Sequence, residues 1–363
     1  MKQRRACATV RAVLHGQWLG VGLLAITALG SELACSSAKR SSGPPAGSLV
    51  EPGAGGAAGA ANGDGEAGSS SDAGPAQGLP DAPFESGPPC NGAPALCDKP
   101  YSSLTFLGTH LSMASDHSWA TQTQGRTLTA QLLVGGVRTL ELEIHSDDGD
   151  LAVCAGKCSA GSESLASVLR DVVKFLQSNP TDVLTLLLRS AVPADDVAKA
   201  FDDQGLVVLA HSQTAHTPWP TLRQLIDAQQ TLVVLVDQLP PEANPSDAGA
   251  DASAPDTGNA SSAALPAWMH RLSDWAWETA PSEGTDCAIA SGSTKSPLAI
   301  LNHYVAGEAA MDNTLIAAHA PEVVAARLAR CNDDRKQVPN FVFVDFAEVG
   351  DPNGGVQIAD GLR

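Results

Sequence analysis

The sequence predicts an α/β barrel, and three observations carry that prediction. From residue 90 onward, short apolar runs alternate with amphipathic stretches, the pattern that parallel strands joined by crossover helices require. The runs are apolar almost without interruption, as in Val183-Leu-Thr-Leu-Leu-Leu188, which fits strands covered on both faces. Polar residues collect just beyond the ends of the runs, where the chemistry of an α/β barrel sits. A doubly wound open sheet is the alternative.

The N-terminus precedes this fold. Lys2, Arg4, Arg5 and Arg11 form a positive region ahead of the apolar stretch Trp18 to Leu29, the layout of an export signal, and that stretch is short for a membrane-spanning helix. Leu33-Ala34-Cys35 reads as the end of a lipobox, so residues 1–35 are expected to be a signal peptide with a lipid anchor on Cys35. Glu32 stands where such signals carry Leu, and an ordinary cleaved signal is the alternative. Residues 36–89 are mostly Gly, Ala, Ser, Pro and Asp; they bury too little apolar surface to offset their ordering entropy and are expected to be a disordered tether. Residues 90–363 are expected to form one barrel domain, interrupted by a second such segment at 240–266. The implied location is the cell envelope or the exterior.

Cysteine usage fits that compartment. Beyond Cys7 and Cys35, six remain: Cys90, Cys97, Cys154, Cys158, Cys287 and Cys331. They allow fifteen pairings; short loops favour Cys90–Cys97 and Cys154–Cys158, which leaves Cys287–Cys331. The rival reading, zinc on Cys154 and Cys158, lacks a completing His or Cys pair. Residues 1–34 hold four basic residues and one acid, so their removal shifts the formal charge from −18 to −21. That argues against nucleic acid and against electrostatic docking on anionic lipid. An anionic substrate would need a local cation. A monomer is expected.

Strands are expected at Leu104–Leu107, Val137–His145, Leu151–Cys154, Val183–Leu188, Thr231–Val236, Leu298–Leu301 and Phe341–Phe346. Helices are expected at Leu165–Leu176, where Leu165, Val168, Leu169, Val172, Val173 and Leu176 form one stripe, and at Ala194–Phe201, Thr221–Ala228 and Ala317–Leu328. Past the strand ends lie His110, then Glu141, Glu143 and His145, then Ala155, Arg189, Asp237, Asn302-His303-Tyr304 and Asp345. Trp268, Trp275 and Trp277 read either as a packed aromatic cap over the barrel mouth or as a rim inserting near lipid heads.

An ordered series of motifs carries a family likeness. Leu104-Thr-Phe-Leu-Gly-Thr-His110-Leu-Ser-Met, Gly136-Val-Arg-Thr-Leu-Glu141-Leu-Glu143-Ile, Leu151-Ala-Val-Cys-Ala155-Gly, Phe175-Leu-Gln-Ser-Asn-Pro180-Thr-Asp-Val-Leu-Thr-Leu, Trp219-Pro-Thr-Leu and Pro339-Asn-Phe-Val-Phe-Val-Asp345-Phe follow one another in the chain. Together they resemble the phosphatidylinositol-specific phospholipase C X-domain family. The resemblance implies a phosphoric diester hydrolase acting on phosphatidylinositol or a related phosphodiester. One histidine would serve as base and another as acid on opposite sides of the phosphorus, with calcium or an arginine absorbing phosphoryl charge.

Residue by residue, His110 matches the first histidine and Asp345 a carboxylate able to orient it. Glu141 and Glu143 match the acidic pair that would hold calcium, and alternation places them with His145 on one strand face. Three positions depart from the pattern. Leu111 replaces Asn or Asp, Ala155 falls on the second histidine, and Arg189 stands where calcium-dependent relatives carry an acid. A guanidinium there either replaces the metal or closes a salt-bridged, inactive site. His145 and His303 are the candidates to replace the missing acid, and both also read as structural. The alternative to an enzyme is a degenerate barrel acting as a surface binding lipoprotein.

Overall fold

In the computed structural model of the chain, the described residues are 87–115, 118–238, 265–305 and 312–360. The residues expected to form the signal peptide, the Cys35 anchor, the tether up to residue 86 and the insertion up to residue 264 lie outside them. In chain order the elements are β1 (Phe106–Thr109), α1 (Leu128–Leu133), β2 (Thr139–Asp147), β3 (Asp150–Cys154), β4 (Ser162–Ser164), α2 (Leu165–Ser178), β5 (Leu184–Ser190) and α3 (Ala194–Asp203). There follow α4 (Leu222–Asp227), β6 (Leu232–Gln238), β7 (Met269–Arg271), α5 (Leu272–Trp275), β8 (Ala276–Thr279), β9 (Ile289–Ser291), β10 (Leu298–Asn302), α6 (Asn313–Ala318), α7 (Pro321–Arg335), β11 (Phe341–Val344) and α8 (Pro352–Ala359).

Eight of these strands pair in parallel in the order β7-β6-β5-β2-β1-β11-β10-β8. Because β1 lies between β2 and β11, the first and last strands adjoin, as barrel closure requires. The two ends of the ladder are β7 and β8, joined by the four-residue helix α5. Among the described residues no ladder bridges them, so the barrel is α/β and TIM-like with one open seam. β3 and β4 form an antiparallel extension on the upper part of β2, and β9 pairs antiparallel with β8.

Alternation along the strands builds two apolar layers. Phe106, Leu187, Val233, Leu235, Leu298, Ile300, Phe341 and Phe343 pack together inside the ring. Leu140, Leu142, Leu186, Val234 and Val342 face outward onto Val168, Leu169 and Val172 of α2 and Leu328 of α7, each fully buried side chain contributing about 1.5–3 kcal/mol. Gly108 is required by this packing, because a Cβ there would meet the Phe343 ring at 2.9 Å. Tyr101 and Trp219 stack at 4.8 Å in the same interior cluster.

Several boundaries differ from the sequence reading, each for a local reason. β1 starts at Phe106, not Leu104, because Tyr101–Ser103 form a 3-10 turn and the Thr105 amide donates to the Asp360 carboxylate. The single helix expected at Ala317–Leu328 is two. Pro321 opens α7 and holds Ala320 extended (φ −59°, ψ 140°), since the residue before proline avoids the helical region. β11 ends at Val344 because Phe346 takes a positive φ of 47° and the chain leaves the ladder. The three-residue and four-residue strands β7 and β8 carry no long apolar run and are absent from the sequence reading.

The disulfides are Cys90–Cys97, Cys154–Cys158 and Cys287–Cys331. Cys154 and Cys158 bind each other, so the zinc alternative falls. The three tryptophans form no cap over the mouth. Trp268 packs on Phe201, Trp275 lies edge-on to Trp219 and His270, and Trp277 donates its Nε1–H to Gln337.

Candidate active site at the C-terminal mouth

Each mouth residue lies one alternation above an interior apolar one: Arg189 above Leu187, Asp237 above Leu235, Asn302 above Ile300 and Glu278 above Ala276. With Glu141, Glu143, Thr279, Pro281, Ala290 and Tyr304 they line a cavity of about 410 Å³.

Arg189 is its centre. Its Nε donates to Glu141 (3.0 Å), Nη1 to Asp237 (2.8 Å), and Nη2 to Glu278 (2.6 Å), with a second Nη1 contact to Glu278 at 3.2 Å. Burial works against its charge, but Glu141 and Glu278 outweigh burial and raise its pKa, so it is a permanent cation. Burial also opposes ionisation of Glu278, yet Arg189, Ser291 and Asn302 hold that carboxyl below its ordinary value. Glu143 turns instead to His145, whose Nε2 lies 2.8 Å from its Oε1.

His110 and Asp345 meet across the β1–β11 pair, with Nδ1 at 2.8 Å from Oδ1. An Nδ1–H donated to this carboxylate leaves Nε2 as the proton-accepting atom of the neutral ring. Burial lowers the proton affinity of His110, but Asp345 and Glu141 more than compensate, and its pKa is raised. Both residues precede a non-glycine in the left-handed region: Leu111 (φ 42°) and Phe346 (φ 47°), conformations that β-rich sequence seldom adopts without support. The support comes from two buried loop residues. Thr123 Oγ1 donates to the His110 and Leu111 carbonyls, and Gln124 Nε2 to those of His110 (2.9 Å) and Val344 (3.0 Å). Tyr304 stacks on the His110 ring.

Other positions lie apart. His303 is fully buried, with Nε2 donating to the Ala318 carbonyl and Nδ1 accepting from Arg327. Burial lowers its pKa to about 4, and it takes no part in the mouth. Ala155 follows β3 and packs on the outer apolar layer.

Glu278, Thr123 and Gln124 are the site residues that the sequence reading missed. Glu278 was legible only as an inward position between Trp277 and Thr279 on an unrecognised strand. Thr123 and Gln124 lie in a loop that no periodicity marks.

Residues 96–247 match the PI-PLC X family model, described as PI-PLC X 1. A PI-PLC X domain-containing protein 1 from Arthroderma benhamiae is 36% identical over 160 residues, 41% of this chain and 50% of the relative. An uncharacterized secreted protein from the same fungus is 24% identical over 305 residues, 76% of this chain and 64% of the relative. The chain thus spans about half the length of one curated relative and under two thirds of the other. The phosphatidylinositol-specific phospholipase C of Listeria monocytogenes superposes with a TM-score of 0.46 at 16% identity, covering 72% of this chain and 94% of that one. The enzyme of S. aureus gives 0.45 at 13% identity, covering 73% and 94%.

Proposed function

With residues 96–247 belonging to the PI-PLC X family, we propose that the chain is a phospholipase C-type phosphodiesterase whose base is His110. The observation that carries this reading is the His110–Asp345 contact of 2.8 Å, with His110 stacked on the cavity-lining Tyr304 and within electrostatic reach of the Arg189 guanidinium. Asp345 fixes the ring so that Nε2 takes the proton of the attacking hydroxyl, whose oxygen then bonds to phosphorus. Arg189 is the cation nearest the developing phosphoryl charge. The departing oxygen needs a proton, and Ala155 has none to give. The Glu143–His145 pair is the remaining donor, with Glu143 lining the cavity and His145 behind it.

Calcium does not fit this reading. Glu141 Oε1 is bound to Arg189 and Glu143 Oε1 to His145, so each carboxylate that a divalent ion would need is already engaged by another side chain. Among the described residues no group of three or more acids, histidines or cysteines is arranged to hold a metal. The substrate class is phosphatidylinositol or a related phosphodiester, reached from outside the cell. Three disulfides and the secreted relative support export; lipid anchoring through Cys35 belongs to the same reading.

A second reading rests on one observation: every nitrogen of Arg189 is already given to a carboxylate. A phosphate must then compete with three anions, and a barrel in this state would bind without turnover. Release of water-soluble phosphoinositol, measured with and without chelator, separates the two. The enzyme reading expects turnover in wild type that survives chelator and is lost in His110→Ala. Absence of turnover in wild type with gain in Ala155→His establishes the degenerate site, and inhibition by chelator defeats the role given to Arg189.

A further inference from the structure

The rings of His110 and Tyr304 lie face to face, with centroids 3.8 Å apart and planes 6° from parallel. Neutral aromatic pairs usually lie offset or edge-on with centroids about 4.5–7 Å apart, and this pair is closer. A cation over a phenol face is attracted instead. The stack is therefore matched to the imidazolium.

Tyr304 is itself nearly buried, and its place is set from outside the mouth. It follows Asn302-His303, which Arg327 of α7 grips through Nη1, to the Asn302 carbonyl at 3.2 Å and to His303 Nδ1 at 2.9 Å. The other Arg327 bonds go to the Ser282 and Asp286 carbonyls, and the residue is fully buried. His303 Nε2 closes the brace on the Ala318 carbonyl at 3.1 Å. One helical turn from Arg327, Cys331 bonds Cys287 on the same loop, so α7 secures this wall both covalently and through hydrogen bonds.

We propose that Tyr304 is a positioning residue: its ring face, held by the Arg327–His303 brace, fixes the plane of His110 and favours its protonated form. The other charged groups facing His110 are Asp345 after β11 and Glu141 on β2, which favour the proton, and Arg189 on β5, which opposes it. Glu283 faces Asp345 from the loop after β8. Tyr304 adds an uncharged influence that no acid supplies. The role rests on the reading of His110 as base, but its measurement needs no turnover.

The experiment is an NMR titration of isotope-labelled histidine in the full chain, with His110 assigned from the His110→Gln spectrum. In Tyr304→Leu the His110 midpoint should fall by roughly half to one pH unit. Tyr304→Phe, which keeps the ring and loses the hydroxyl, should titrate as wild type. If Tyr304→Leu does not fold, Tyr304→Met carries the same test, since it fills the space without a π face. A Leu or Met variant that titrates as wild type overturns the proposal, and so does a Phe variant that falls as far as they do. A wild type without turnover defeats the enzymatic reading alone and leaves this titration intact.

Discussion

Replacing Arg189 by Met keeps the aliphatic stem and removes the charge, which tests whether the mouth is held together electrostatically. Its partners are unequal. The side chains of Glu141 and Glu278 are 5% and 13% exposed, whereas Asp237 is 39% exposed, so solvent screens the Asp237 contact and it adds little. Removing one member of a buried ion pair leaves an uncompensated charge and costs about 3–5 kcal/mol. The variant should lose that much in guanidinium chloride unfolding with disulfides intact. The pH dependence has a definite sign. In wild type, Glu278 lies below its ordinary value of 4.5, so its stabilisation is present above that pH and is lost as pH falls through the lower folded value. In Arg189→Met, burial dominates and lifts the orphaned Glu278 carboxyl above 4.5. The folded state then binds protons more readily than the unfolded one, and the deficit should shrink as pH drops from about 7 to about 5. A loss below about 1 kcal/mol, or one independent of pH, would refute the reasoning.

Two other perturbations probe the scaffold. Burial lowers His303 and His319 to about 4 from 6.5. The unfolded chain therefore takes up protons that the folded chain cannot, and stability should fall between about pH 6.5 and about pH 4; His319→Leu should flatten that slope in acid-unfolding curves. The Cys287–Cys331 bridge closes a separation of 44 residues and Cys154–Cys158 one of 4. Paired Cys→Ala replacement should cost about 4 kcal/mol for the first and about 2 kcal/mol for the second on chain-entropy grounds, and equal losses in chemical denaturation would contradict that account.

The barrel was legible because its strongest strands are written as continuous apolar runs. β2, β5, β6, β10 and β11 all fall within a residue or two of where the runs place them. Two disulfide pairs were legible from loop length, and Cys287–Cys331 as the pair that remained. Mouth residues such as His110, Arg189 and Asp345 stood out because each follows such a run directly. What stayed hidden was set by contacts distant in sequence. β7 and β8 are strands only because β6 and β10 pair with them, and that pairing turns Glu278 toward Arg189. Thr123 and Gln124 gain their role from carbonyls of β1 and β11 that a loop happens to reach. The stack of Tyr304 on His110 joins residues 194 positions apart, and no local period signals it.

The seam between β7 and β8 makes the sheet a split ring rather than a hoop. Around most of its circumference a change in width would have to stretch backbone hydrogen bonds, which share the load in series. At the seam the two edges are joined by a single turn of helix, and among the described residues no ladder spans them, so the girth there can alter with no ladder broken. Glu278 rides on one lip of that split while Arg189 and Asp237 ride on strands beyond the other. The grip of one arginine on Glu278 and Asp237 thus acts as a clasp across the opening, tying the tension of the wall to the charge in the mouth.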